Sequence, residues 1–96
     1  MMLRDVVAKN PNHEMANYNL GILSLKSGQY DKAVDRFEKV LTIRPSNTEA
    51  RFLLARTYMQ LGKKDLALQN LKMIRESSDQ KMNEEVNILI NQINNN

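Results

Sequence analysis

The chain repeats itself at an interval of 34 residues, and this constrains its fold more than any other feature of its 96 residues. Pro11 recurs as Pro45, Leu20 as Leu54, Gly28 as Gly62, Asp31 as Asp65 and Ala33 as Ala67. Conservative partners keep the same interval: Gly21 with Ala55, Phe37 with Leu71, Val40 with Ile74. Extended backwards, Leu3 precedes Phe37 and Val6 precedes Val40 by the same step. Turn formers and apolar residues stay in phase together, so the repeating object is a supersecondary unit. A unit of this size buries its apolar face by stacking on its neighbours.

Each unit reads as two helices. Apolar residues follow a helical period from His13 to Lys26, and Ser27-Gly28-Gln29 then breaks it. A second periodic run, Tyr30 to Ile43, stops before Pro45, which disfavours helical geometry in the residue preceding it. Ser46-Asn47-Thr48-Glu49 has the spacing of a capping box, with Ser46 and Glu49 placed to satisfy the first free amides. Helix is then predicted to about Gln60 and, after Leu61-Gly62-Lys63, from about Lys64 to Glu76. Gly28 and Gly62 stand where a left-handed residue lets the chain reverse after a helix.

Small residues at close helix approaches, large ones between them and a proline before the next unit form a pattern that resembles the tetratricopeptide repeat (TPR) family. In the first unit it is carried by Leu20, Gly21, Ala33, Phe37, Val40 and Pro45; in the second, by Leu54, Ala55, Tyr58, Ala67, Leu71 and Ile74. Departures fall at Asn17 and Ser24, where the family usually has an aromatic, at Arg51, and at Asp79 in place of a closing proline. These are expected to loosen packing locally. The resemblance implies an all-α solenoid of antiparallel helix pairs wound as a right-handed superhelix and closed by a C-terminal capping helix.

The chain is therefore divided into a partial repeat over residues 1–11 (the back half of a second helix), full repeats over 12–45 and 46–79, and a capping helix with a polar tail over 80–96. The missing first half suggests a piece of a longer array. Lys81 to Asn94 is predicted as one more first helix, with Ser77-Ser78-Asp79 as its cap region. Glu84, Asn91 and Gln92 are polar where a mid-array helix would be apolar, as suits a solenoid end.

In TPR superhelices the first helices of successive units line a concave groove. The resemblance places Tyr18, Ile22 and Leu25 there, followed in register by Phe52, Arg56 and Met59 and then by Val86, Ile90 and Ile93. All but Arg56 are apolar or aromatic, a strip suited to the apolar stripe of an amphipathic helix. Arg56, with Asn19 near the edge, would fix a carboxylate or carbonyl of the bound segment. The function expected is a non-catalytic protein-interaction or assembly scaffold whose partner is another protein or peptide. Two alternatives use the same residues: Val86, Leu89, Ile90 and Ile93 could rotate onto the preceding helix pair and leave no groove, or exposed apolar ends could pair two copies of the chain. Some family members clamp a terminal carboxylate with Lys, Asn and Arg. Only Asn19 matches such a position here, so a clamp is not expected.

Composition argues against most other functions. Cysteine is absent and His13 is the only imidazole, so thiol catalysis and the usual zinc sites have no donors; no catalytic residue, metal or cofactor is expected. Ser27, Ser46, Ser77 and Ser78 read as turn and cap residues with no histidine placed to activate them. The adjacent Glu84 and Glu85 diverge around a helix and share no site. Gly28 and Gly62 are isolated from any phosphate-cradling loop. The net charge of +3 is spread without a basic stripe, which disfavours nucleic acid even though Arg51, Arg56, Lys63 and Lys64 gather in one unit. Neither a membrane span nor a signal-peptide core is visible, and a cytoplasmic location is expected.

Overall fold

A computed structural model describes residues 9–10, 12–77 and 82–95. They contain five helices: α1 (Glu14–Lys26), α2 (Tyr30–Ile43), α3 (Thr48–Gln60), α4 (Lys64–Glu76) and α5 (Asn83–Asn94). The expected partial helix over residues 1–11 lies outside the described residues apart from residues 9 and 10, as does the expected cap region Ser77-Ser78-Asp79 apart from Ser77, together with the expected start of the last helix at Lys81.

Caps and turns set these boundaries. His13 caps α1, its Nδ1 accepting from the Ala16 amide at 3.1 Å. Asn47, rather than Ser46, caps α3, its Oδ1 accepting from the Ala50 amide at 3.0 Å. The cap stands one residue beyond Ser46 because Asn47 is the residue in extended geometry whose side chain reaches a free amide of the first turn. Both glycine turns have one geometry. Gly28 and Gly62 have φ of 77° and 73°, the left-handed region that side chains disfavour. Gln29 N–H donates to the Ser24 carbonyl and Lys63 N–H to the Tyr58 carbonyl, both at 2.8 Å, closing two Schellman turns that fold α2 back on α1 and α4 back on α3. Arg44, before Pro45, is extended with φ −139° and ψ 93°, which ends α2.

Each helix packs on the next, so the core runs as one seam through the stack. Phe37, Val40, Leu71 and Ile74 are completely buried, and Ala33, Ala55 and Ala67 occupy the close approaches. α1 and α2 approach closely at Gly21. A Cβ on Gly21 would stand 2.6 Å from Cε1 of Phe37, so only glycine admits the ring at that point. Tyr18 meets the same ring edge-on, with centroids 6.1 Å apart. The arrangement is an all-α helical-repeat solenoid, as the repeat implied.

The two departures at Asn17 and Arg51 do not simply loosen packing. Asn17 Oδ1 accepts from Arg36 Nη1 at 3.1 Å, tying α1 to α2. In the next unit Arg51 Nη1 donates to Asn70 Oδ1, also at 3.1 Å, tying α3 to α4. Positions 17 and 51 correspond in the repeat, as do 36 and 70, so the same bond recurs with its partners exchanged. Each asparagine also donates from Nδ2 to the carbonyl four residues earlier, His13 and Leu66 respectively, at 2.9 Å. Asn17 and Asn70 are buried and need these partners.

Candidate protein-binding groove

The candidate groove is bordered by α1 and α3, the first helices of successive pairs. Tyr18, Asn19, Ile22 and Leu25 come from α1, and Phe52, Arg56 and Met59 from α3. Arg56 is exposed and the other six are half-buried. Tyr18, Ile22, Leu25, Phe52 and Met59 pack against the core on one side and remain partly exposed.

Both ends of the groove form depressions. At the end nearest the helix starts, Met15, Tyr18 and Glu49 border a cavity of about 450 Å³ together with His13 and Glu14. Burial, and then the Glu49 carboxylate, push the Tyr18 phenol above its ordinary value, so that carboxylate lies within electrostatic reach of the ring. Glu14 is already committed. Its carboxylate accepts from Arg44 Nε and from Asn47 Nδ2, each at 2.9 Å, pinning the start of α1 to the α2–α3 turn. With the Arg44 side chain 64% exposed, this pair positions the turn more than it stabilises the fold. At the other end Leu25, Tyr30, Arg56 and Gln60 enclose a smaller cavity of about 180 Å³.

Val86, Ile90 and Ile93 are placed differently. They are 0%, 9% and 4% exposed and belong, with Leu89, to the core against α4. The corresponding α3 residues, Phe52, Arg56 and Met59, are half-buried or exposed, so α5 is turned about its axis relative to α3. The physical reason is that α5 has a single apolar stripe, and covering it on α4 takes precedence over keeping the repeat's register. Glu84, Asn91 and Gln92 consequently face outward. This is the rotation given above as an alternative, in which Val86, Leu89, Ile90 and Ile93 cover the preceding helix pair, and it leaves only the candidate groove residues of α1 and α3.

Glu49, Met15 and Tyr30 were not singled out in the sequence as groove residues. Glu49 was legible in principle, since it precedes Phe52 by three residues and Arg56 by seven and shares their helix face. Met15 is legible in the same way, three residues before Tyr18, seven before Ile22 and one repeat before Glu49, whereas Tyr30, on α2, reaches the groove only through the tertiary fold. Among the described residues no cluster of three or more His, Asp or Glu side chains could hold a metal, and no helix is long and apolar enough to cross a membrane.

Stacked helix pairs with an open face between their first members define a helical-repeat protein-interaction scaffold. The chain belongs to the tetratricopeptide repeat family, which it matches over residues 24–93 and again over residues 2–35. It is 38% identical over 64 residues to Protein CTR9 homolog of Arabidopsis thaliana, an alignment covering 66% of this chain and 6% of that protein. Its fold is similar to the crystal structure of MamA, with a TM-score of 0.74 and 30% identity over 77% of this chain and 43% of that one. The chain thus spans a small fraction of the first relative and under half of the second. Members of this family are in general non-catalytic interaction modules.

Proposed function

We propose that the groove between α1 and α3 binds an apolar or amphipathic helical segment of another protein, with Ile22, Leu25, Phe52 and Met59 as its floor and Tyr18, Asn19 and Arg56 at its margins. The observation that carries this reading is that the floor residues are held from behind by the core yet remain open in front. Such side chains lose little rotamer freedom on binding, so burying their free area contributes directly to affinity. Val86, Ile90 and Ile93 support the groove through the core and do not touch the ligand.

The test is the double variant Ile22→Ala/Phe52→Ala, assayed by fluorescence anisotropy against a synthetic amphipathic peptide with leucines at i, i+4 and i+7. Binding is expected to weaken about tenfold or more, since each truncated anchor removes on the order of 1 kcal/mol or above. Oligomeric state is followed in the same samples by sedimentation. A lower melting temperature with unchanged binding would eliminate the groove, and a shift from dimer to monomer would point to a second copy of the chain as the occupant.

A further inference from the structure

Opposite charges stand at the two ends of the groove: Arg44, the cation lining the Glu49 end, is paired with Glu14, which leaves Glu49 as the unpaired charge there, and Arg56 is the unpaired charge at the other end. Glu49, at the start of α3, and Arg56, two turns further on, are both exposed, and neither forms an ion pair among the described residues. They share one helix face and are separated by seven residues, a rise of about 10 Å. Each sits in a depression built from both helices. Glu49 borders the cavity holding the Tyr18 ring, the exposed Met15 and the Glu14–Arg44 ion pair, whose charges cancel, while Arg56 borders the cavity holding Leu25, Tyr30 and Gln60. An aromatic face, a thioether and a carboxylate make a receptor for a cationic side chain. A guanidinium beside an amide and a phenol makes one for a carboxylate.

We infer that the groove selects an amphipathic helix carrying one acidic and one basic residue about seven positions apart on its apolar face, the base seated at Glu49 and the acid at Arg56. This rests on the groove being the binding site and adds the chemistry and orientation of its ligand. A helix with its acid toward the N-terminus and its base toward the C-terminus is favoured by its own macrodipole. Seated with the base at Glu49 and the acid at Arg56, that helix runs antiparallel to α1 and α3, and its dipole opposes theirs. The acid-then-base order is therefore the preferred ligand. The charges add modest affinity and decide which segment is accepted and in which direction.

Three synthetic peptides test this, each with the same leucine stripe and with either Glu and Lys, two Lys or two Glu seven positions apart. Net charge is held at zero by residues on the solvent face, and binding is measured at about 50 mM salt to limit screening. The wild-type protein is expected to bind the Glu/Lys peptide about tenfold more tightly than either like-charged peptide. Arg56→Glu is expected to move the preference to the two-Lys peptide, and Glu49→Lys to the two-Glu peptide. Circular dichroism confirms that both variants keep their helices, which is expected because both sites are exposed. If all three peptides bind equally and Ile22→Ala/Phe52→Ala weakens them all, the charge selection is wrong and the groove stands. If no peptide binds the wild-type protein, both fall.

Discussion

At the scale of single residues, the contact between Gly21 and Phe37 decides how closely α1 and α2 approach. Alanine at position 21 would ordinarily gain about 1 kcal/mol of helix propensity over glycine. Its Cβ, however, would stand 2.6 Å from a completely buried ring that Tyr18 also holds edge-on, so the ring has little room to yield. Gly21→Ala is expected to destabilise the protein by about 1–2 kcal/mol net, read as a lower urea midpoint at unchanged slope. The second unit solves the same crossing with Ala55 and Leu71. Adding Phe37→Leu to Gly21→Ala should therefore recover part of the loss, giving a favourable coupling between the two sites. Additive losses would show that the ring is not the obstacle. The 34-residue repeat pairs Gly21 with Ala55 and Phe37 with Leu71, but the separation that makes glycine obligatory is a distance between helices.

At the scale of elements, each helix pair is held by a seam of apolar residues with a part-buried arginine–asparagine hydrogen bond across it. In the first pair the arginine comes from α2 and the asparagine from α1; in the second the roles are reversed. Arg51 also donates from Nη2 to the Pro45 carbonyl at 3.2 Å, tying α3 to the preceding turn, and burial lowers its pKa from the ordinary arginine value. Arg36→Ala removes a donor from buried Asn17 and should cost about 1–3 kcal/mol in chemical denaturation. The exchange Asn17→Arg/Arg36→Asn should restore most of it, since the neighbouring unit already uses that arrangement. A double variant no more stable than Arg36→Ala would show that the two units are not interchangeable. Read one position at a time, Asn17 and Arg51 look like departures from the repeat. Their partners lie 19 residues away on another helix and become visible only when the helices pair.

At the scale of the whole molecule, the tyrosines link packing to pH. Burial and, secondarily, the Glu49 carboxylate raise the Tyr18 phenol; burial and, secondarily, Glu38 raise that of Tyr58. An unfolded tyrosine ionises near pH 10, below these native values, so the native state resists ionisation longer than the unfolded one. Their contribution to stability is therefore complete below about pH 10 and is lost as pH climbs through the raised native values. Thermal melts from neutral to strongly alkaline pH, with phenolate absorbance followed in parallel, should show a decline in melting temperature beginning near pH 10. Tyr58→Phe should flatten that decline. A decline unchanged in Tyr58→Phe would assign the alkaline loss to other groups.

The sequence by itself determined the five described helices, their order and their two glycine turns, because these follow from local chemistry, apolar period and glycines at two reversals; which of the neighbouring Ser46 and Asn47 caps α3 needed the backbone geometry. It also placed Tyr18, Ile22 and Leu25 on one helix and Phe52, Arg56 and Met59 on the next, since residues three, four or seven apart share a helix face. Tertiary structure alone decided the rotation of α5. Val86, Ile90 and Ile93 carry the same helical spacing whether they line a groove or fill a core. Periodicity fixes which side chains lie together on a helix; which neighbour covers that face is settled by the area buried between helices, a quantity no single helix contains.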